Sequence, residues 1–336
     1  MVDIVGLISS TVIIFSLYSL LSLSLNLEYG YTGLPNFGKV AFQAVGAFVC
    51  GAFTAYAISF IVGSTASIFS PESVQIRIEF SKMNILPTVT IFIVSLIAAC
   101  IISGLFGYAV SKPALKLRED YLALILLIFG EILRLIVRNY YPLVGGTHGL
   151  AAIPNPFSWS GEFVLPLYSV ITIIVTLLVF IFLQRLLNSP YGRLLKAIRD
   201  NELASQVLGK ESVRIKGQVL TLASSIAGLS GGLYAFYSSY VVADDFIPQK
   251  TFDAWLIVIL GGAANNKGVL TGALVITILD RSIQYLSGLV RFPFEVNYLR
   301  YIIMGLIMII ILYYKPSGMI KEKPVKTPAV QVLKHE

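Results

Sequence analysis

Long apolar runs constrain this chain more than any other feature of its sequence. A helix needs about 20 predominantly apolar residues to cross the hydrocarbon core of a bilayer. Several runs are close to that length, and one further region is apolar but interrupted by glycine and polar residues. The runs are residues 4–27, 40–62, 86–110, 121–137, 163–187, 217–242 and 298–314, and the interrupted region is 252–283.

The composition agrees with a membrane location. Hydrophobic residues make up 56% of the chain and charged residues 13%, against about 25% charged residues in a soluble domain. The alternation of transmembrane β-strands is absent. The sequence therefore predicts an all-α integral membrane protein, a polytopic helical bundle of about 8–10 transmembrane segments. We interpret residues 4–27 as a helix of this bundle and not as a signal peptide, because Asp3 stands where a signal sequence carries basic residues.

Metal-ligating and redox residues are few. Cys50 and Cys100 both fall inside predicted spans, where we interpret them as small packing residues and not as a disulfide or a metal site. His148 has no Cys, His or carboxylate at ligand spacing, so we interpret it as a loop residue. The sequence therefore predicts no metal site.

The distribution of basic residues predicts the orientation. The formal net charge is +7, and 15 of the 25 Lys and Arg residues lie within 112–118, 185–216 and 315–334. Because cytoplasmic loops carry the excess of Lys and Arg, we place these three regions and the C-terminus in the cytoplasm. Segments 63–85, 139–162 and 243–249 then lie outside. This distribution over loops and the tail does not indicate nucleic-acid binding.

Two stretches rich in glycine and asparagine interrupt the apolar pattern, YGYTGLPNFG in the first half and VILGGAANNKGVLTGA in the second. A cytoplasmic tail also requires region 252–283 to enter the membrane and return to the same side. The sequence therefore predicts broken or re-entrant helices in both halves, which in transporters flank a translocation path near the bilayer midplane. Two ordinary interhelical loops remain the alternative. The candidate path residues are Gly33, Asn36, Gly38, Gly261, Gly262, Asn265 and Asn266.

The most basic loop, residues 188–216, contains an amphipathic pattern. Apolar residues recur every three or four positions over 193–208, which predicts one helix that Gly209 ends. Such a helix has two uses, which the pattern leaves open. It can lie in the lipid headgroups, or its apolar face can enter a groove on a partner protein.

Charged residues inside predicted spans are functional candidates. Glu131 and Arg134 are three positions apart and share a helix face, so they form either a functional charge pair or a mutually neutralising pair that fixes helix packing. Asp280 and Arg281 are expected to pair across a helix end. Three other carboxylates are interpreted as a solvated rim, with attraction of a cation at the outer mouth as the alternative: Asp244, Asp245 and Asp253.

Five motifs, in family order, resemble those of the LivM-type permease subunits of branched-chain amino-acid ABC importers. The motifs are LSLNLEYGYTGLPNFGKVAFQAVGAF, LREDYLALILLIFGEILRLIVRN with GGTHGLAAIP, YGRLLKAIRDNELASQVLG, VILGGAANNKGVLTGA and LRYIIMGLIMIIILYYKPSGMI. Within them, ELASQVLG is a loose version of the E-A-A…G signature by which such permeases dock on an ATPase. The chain departs from the family pattern at Pro35, at Asn36 and at residues 265–267, and residues 63–85 have no recognisable counterpart.

The resemblance implies a permease subunit of an ATP-driven importer and not an enzyme. It implies a sister permease as heterodimer partner, two ATPase subunits that bind ATP and Mg²⁺, and an extracytoplasmic solute-binding protein. No G-x-x-x-x-G-K-[ST] loop occurs in this chain, so no cofactor is expected in it. The expected solute is a branched-chain amino acid or a related small amino acid or amide. The alternative, for which broken helices also argue, is a self-contained secondary amino-acid transporter.

The resemblance, together with the Pro- and Lys-rich composition of the tail, predicts a division of the chain. Residues 1–316 are expected to form a transmembrane permease domain in the cell membrane, with residues 188–216 as its ATPase-docking loop. Residues 317–336 are expected to be a mobile basic cytoplasmic tail. The residues expected to dock on the ATPase are Arg193, Arg199, Asp200, Glu202, Ala204 and Gly209.

Overall fold

The computed structural model describes residues 4–64, 66–117, 119–289 and 296–322. These residues form thirteen α-helices, short 3-10 turns and one antiparallel pair of two-residue strands, β1 (Leu150–Ala151) and β2 (Tyr240–Val241). The α-helices are α1 (Ile4–Thr32), α2 (Lys39–Val62), α3 (Pro71–Met83), α4 (Ile85–Ala114), α5 (Glu119–Asn139), α6 (Tyr141–Val144), α7 (Val164–Asn188), α8 (Pro190–Asp200), α9 (Glu202–Val207), α10 (Ser212–Ser238), α11 (Pro248–Gly261), α12 (Asn266–Leu289) and α13 (Val296–Tyr314).

Five helices of the described chain are long and apolar enough to cross a membrane: α1, α2, α4, α7 and α10. α13 adds a shorter apolar helix over Arg300–Tyr314. α5 covers the predicted span 121–137, and α11 and α12 form a helical hairpin in place of the interrupted region 252–283. The predicted polytopic all-α membrane fold is confirmed.

The segment 63–85 contains a helix that its sequence pattern did not reveal. The side chain of Ser70 accepts a hydrogen bond from the backbone N of Ser73 (3.2 Å), and Pro71 occupies the first turn of α3. Phe80 then packs in a small apolar cluster with Ile58. The start signal was readable, but the mixed polar and apolar residues that follow it concealed the helix.

α10 lies at the centre of the bundle and packs against α1, α2 and α4. Small residues let these helices approach closely. A Cβ atom at Gly46 of α2 would overlap the backbone of Gly228, and one at Gly231 would overlap the carbonyl of Gln43. In lipid the hydrophobic effect does not drive helices together, so close packing of small residues contributes to their association.

α2 begins about halfway along α1. Gln43, in the second turn of α2, donates from Nε2 to Ser230 Oγ (3.2 Å), and Ser230 donates to the carbonyl of Leu17 (3.1 Å). Because Leu17 is near the middle of α1, Thr32 lies about 22 Å further along that helix at 1.5 Å per residue. Segment 33–38 therefore runs back along the bundle before α2 starts. The first interrupted stretch is thus followed by a helix that begins inside the bundle.

α11 begins at the same level. Thr251, in the first turn of α11, accepts a hydrogen bond from the backbone N of Val40 (3.1 Å). The indole N–H of Trp255 donates to the carbonyl of Asn36 (3.1 Å). Segment 242–247 leads to this point from β2, which follows the end of α10. The first turns of α2 and α11 therefore meet inside the bundle.

The loop 188–216 forms two helices and not one. Asn201 has an extended backbone (φ −157°, ψ 100°), and its side chain accepts a hydrogen bond from the backbone N of Ala204 (2.9 Å). The prediction of a single helix over 193–208 is wrong because Asn201 acts as the N-cap of α9. Gly209 follows α9 in the left-handed conformation (φ 75°). We call the end of the bundle where α8 and α9 lie the loop end.

Candidate functional site

The two interrupted stretches adjoin each other through Asn26 of α1. The Nδ2 of Asn26 donates to Asn266 Oδ1 (2.9 Å), and its Oδ1 accepts from the backbone N of Ala264 (2.9 Å). The ring of Tyr29 lies against Trp255 of α11, with 4.4 Å between ring centroids. The two interrupted stretches therefore touch where Gly30 lies against Ala264.

A buried ion pair lies where the first stretch meets α2. Lys39 Nζ is 2.8 Å from Glu28 Oε1, and both side chains are fully buried. Asn36 donates from Nδ2 to the other oxygen of Glu28 (3.1 Å) and accepts from the backbone N of Gly38 (3.0 Å). Sequence reasoning missed this pair because the predicted spans stop at residue 27 and resume at residue 40, which assigns both charges to a loop.

Gly33, in the middle of the first stretch, and Gly38, at its end, each lie close to another helix. Gly33 has φ 74° and faces the side chain of Arg199 of α8. A Cβ atom at Gly38 would overlap the carbonyl of Leu126 of α5. A left-handed φ and a backbone contact of this kind both favour glycine.

The second stretch lies nearer to the loop end than the start of α2 does. Gly262 (φ 109°) and Ala264 (φ 60°) turn the chain between α11 and α12, and Gly261 packs against the backbone of Gly268. Ala264 contacts Gly30, close to the C-terminal end of α1. The two stretches are therefore at different heights in the bundle, and their position near the bilayer midplane stays a prediction.

The asparagines of the predicted path are bonded to protein groups. Asn36 and Asn266 are 0% and 1% exposed. Asn265 is partly exposed, and it donates from Nδ2 to the carbonyl of Lys321 (2.9 Å) while its Oδ1 accepts from the backbone N of Lys267 (3.1 Å). Their role in a translocation path stays a prediction.

The predicted pair of Glu131 and Arg134 has a third member. Arg134 is 2.7 Å from Glu131 and 2.8 Å from Asp244, and the three side chains are 20%, 31% and 56% exposed, in that order. Arg134 lines a small cavity together with Ala44 and Phe48, which belong to the second and third turns of α2. A partly exposed cluster of charges thus lies beside the first half of α2.

A second ion cluster is buried between α11, α12 and α13. Arg300 is 2.8 Å from Asp253 and 2.7 Å from Asp280, whose side chains are 8% and 3% exposed. Arg300 also donates to the hydroxyl of Tyr18, in the middle of α1 (3.2 Å). The interpretation of Asp253 as part of a solvated rim is wrong, since it is buried. The expected partner of Asp280, Arg281, instead donates to Gln284.

α8 lies on the bundle through its apolar face. Buried apolar residues of this face are Leu195 and Ile198. Arg199 donates from Nη1 to the carbonyl of Gly30 (2.7 Å) and from Nε to Asp200 (2.9 Å). Arg193 is exposed on the other face. The apolar face of α8 therefore packs against the bundle and is not available to lipid or to a partner protein.

α9 exposes its apolar residues. Glu202 is anchored to Lys216 of α10 (2.7 Å). Partial burial acts to raise the pKa of Glu202, but hydrogen bonds from Lys216 and Ser212 and the charge of Lys216 outweigh it, so that pKa lies below its ordinary value. Ala204 and Gly209 are exposed. The exposed apolar residues are Leu203 (75%), Val207 (88%) and Leu208 (78%).

Comparison with known proteins decides the family. A family model described as branched-chain amino acid transport system / permease component matches residues 7–312. The chain belongs to this family. It is 34% identical, over 97% of both chains, to the probable branched-chain amino acid transport permease protein LivM of Methanocaldococcus jannaschii. It is 26% identical, over 90% of this chain and 68% of the relative, to the high-affinity LivM permease of Salmonella typhimurium.

Family members named LivH are also similar to the chain. The probable LivH permease of Methanocaldococcus jannaschii is 26% identical over 93% of this chain and 91% of its own length. No solved structure matches the chain. The LivM relative of that organism is more similar than its LivH relative, which confirms the resemblance drawn from the motifs.

Proposed function

We propose that this chain is the permease subunit of an ATP-driven ABC importer that carries branched-chain amino acids across the cell membrane. The family match over residues 7–312 carries the proposal, together with relatives named for branched-chain amino acid transport. The partners are a sister permease, two ATPase subunits that bind ATP and Mg²⁺, and an extracytoplasmic solute-binding protein. Relatives named both LivM and LivH support a pair of permeases.

α9 is the surface that meets the ATPase subunit. An exposed apolar cluster on a polar loop is typical of a contact with another molecule. The apolar face of α8 packs on the bundle, whereas Leu203 and Val207 project outward from a helix that Glu202 anchors. The basic residues of the loop support a cytoplasmic position for it and for the tail beside it.

Substitutions in α9 test this docking. Val207→Asp adds a carboxylate to a contact that requires apolar surface, and Glu202→Lys removes the anchor of α9. Gly209→Asp strains a left-handed position. Each variant is expected to insert normally but to lose uptake of labelled leucine into ATP-loaded vesicles and co-purification with the ATPase. Full ATP-dependent uptake by Val207→Asp would contradict the assignment. Glu211→Lys, at a side chain 73% exposed on the same loop, is the control.

The solute path runs along the face where α2 and α11 begin. Glu131, Arg134 and Asp244 are partly exposed beside the first half of α2. Charged side chains within a predicted membrane span face the interior of an assembly or a water-filled cavity and not lipid. The sister permease covers this face and encloses the path between the two chains.

Cysteine scanning tests the path on a background without Cys50 and Cys100. A cysteine at Asn36 is expected to react with a small polar thiol reagent only when ATP turnover opens the bundle, because Asn36 is fully buried here. A cysteine at Asn265, which is partly exposed, is expected to change its rate with turnover. Labelling no faster than at Ile174, a side chain 48% exposed on α7, would reduce both stretches to ordinary loops.

A self-contained secondary transporter is the second candidate. The buried carboxylates of Asp253 and Asp280 beside Tyr18 favour it, because buried carboxylates at membrane depth can couple transport to an ion. Leucine uptake by the purified chain alone, driven by a proton or sodium gradient in liposomes, would establish this candidate. No uptake without ATPase subunits is expected.

A further inference from the structure

The first residues after α13 are built into the bundle. We call residues 317–322 the strap. The backbone N of Met319 donates to the carbonyl of Leu260 (2.8 Å), and that of Ile320 to the carbonyl of Gly261 (3.0 Å). The last carbonyls of a helix have no donor within the helix. The strap therefore completes the C-terminal end of α11.

Backbone contacts fix the strap at the turn between α11 and α12. A Cβ atom at Gly318 would overlap the backbone of Gly262, and one at Gly262 would overlap the carbonyl of Ile320. Asn265 adds its hydrogen bond to the carbonyl of Lys321 (2.9 Å). This part of the chain thus belongs to the permease fold, and the remainder of the tail, 323–336, lies outside the described residues.

The last residue of the strap reaches α8. The carboxylate of Glu322 is 2.6 Å from Lys196 Nζ and 3.0 Å from Arg199 Nη1, and the three side chains are between 14% and 30% exposed. The same nitrogen of Arg199 donates to the carbonyl of Gly30 (2.7 Å). Lys196 lies over the ring of Tyr31, 5.5 Å from its centroid. One carboxylate therefore ties α8 to the end of α11, beside the end of α1.

We propose that Glu322 is a positioning residue that couples movement of the ATPase-docking loop to movement of α11. The inference rests on the proposed function. α8 directly precedes α9, so a displacement of α9 acts on Lys196 and Arg199, and through Glu322 on the strap. The strap is bonded to one end of α11, and the other end of this rigid helix meets the first turn of α2 through Thr251 and Val40.

The substitution Glu322→Gln tests the inference, because it keeps the shape of the side chain and removes its charge. α8 retains its buried apolar face, so the variant is expected to fold. In the reconstituted transporter, the number of leucine molecules moved per ATP is expected to fall at least about fivefold, the lower range of measured couplings between sites. The ATPase rate is expected to stay within about twofold. Amide hydrogen exchange in α8 is expected to rise.

Two variants complete the design. Glu211→Gln neutralises a carboxylate of the same loop whose partner, Arg214, is 3.6 Å away and 74% exposed, and it is expected to change nothing. The double variant Glu322→Lys with Lys196→Glu exchanges the two charges of this pair. It is expected to recover much of the leucine moved per ATP that Glu322→Gln loses.

Two results would overturn the inference. One is an unchanged uptake and an unchanged ATPase rate in Glu322→Gln, and the other is an equal fall of both, which leaves the ratio of leucine to ATP unchanged and indicates a structural role only. In either case, normal ATP-driven uptake by the unaltered complex would leave the proposed function standing. Absence of that uptake in the unaltered complex would reject the proposed function and the inference together.

Discussion

Replacing Lys39 with methionine tests the buried pair at the start of α2. Methionine keeps an unbranched side chain and removes the ammonium that lies 2.8 Å from Glu28. At an effective dielectric constant of about 20, two charges at this distance attract with about 6 kcal/mol. Removing one partner of a buried pair costs about 3–5 kcal/mol in measured cases. Because the hydrogen bond from Asn36 to Glu28 remains, we expect a loss near the lower value, about 3 kcal/mol.

The assay is unfolding of the full-length chain in detergent micelles by added sodium dodecyl sulfate, followed by circular dichroism. The double variant Glu28→Gln with Lys39→Met is expected to recover most of the loss, because no unpaired charge is then buried. Lys267→Met is the matched control, since Lys267 is exposed at the start of α12. It removes the same charge without unpairing a carboxylate.

The reasoning is refuted if Lys39→Met lowers the free energy of unfolding by no more than the control does, which for a surface substitution is within about 0.5 kcal/mol. It is also refuted if the double variant is as unstable as the single one. The first result would mean that Glu28 is not buried beside Lys39. The second would mean that the loss comes from packing and not from the unpaired carboxylate.

Two further predictions concern helix packing and the docking loop. Gly231→Val is expected to prevent accumulation of folded chain, because the new Cβ atom would overlap the carbonyl of Gln43. The control is Gly305→Val, because no atom lies within 4 Å of a Cβ atom placed at Gly305. Fluorescence-detected size-exclusion chromatography measures the folded fraction. The pKa of Glu202 is lowered, so its pair with Lys216 stabilises α9 above the ordinary pKa of 4.5 and is lost as the pH falls through the lowered value. The protection factor of the α9 amides, which is the intrinsic exchange rate divided by the measured rate at each pH, is therefore expected to be constant from neutral pH to about pH 5 and to fall only below it.

The fold class could be predicted from the sequence because the length of an apolar run is a local property of the chain. The helices α1, α2, α4, α7 and α10 each follow a predicted apolar run. The amphipathic period of the basic loop was also correct over α8, but the period alone could not show that Asn201 starts a new helix. The decisive signal there is the side chain of Asn201 bonded to Ala204, which a pattern of apolar positions does not contain.

The charged residues of the interior were harder to predict, because each depends on a partner far away in the chain. Asp253 and Asp280 look like rim or helix-end residues until Arg300 of α13 is placed beside them. Glu28 and Lys39 were within reach of sequence reasoning. Extending the first two spans by one residue each would have made them intramembrane charges of opposite sign, which are expected to pair.

The pairing of the first turns of α2 and α11 changes how the interrupted stretches are understood. The sequence suggests that the free N–H groups of a helix starting inside the membrane attract the carboxylate of the solute. In the structure, the N–H of Val40 is bonded to Thr251 and that of Gly38 to Asn36. On the proposed path, the N–H of Val40 becomes available to a solute only when α11 separates from α2. The same α11 is bonded to the strap at its other end, so one movement of this helix both frees this donor and is transmitted to α8. We therefore expect solute passage and docking-loop movement to be linked through α11 and through the strap that is bonded to its C-terminal end.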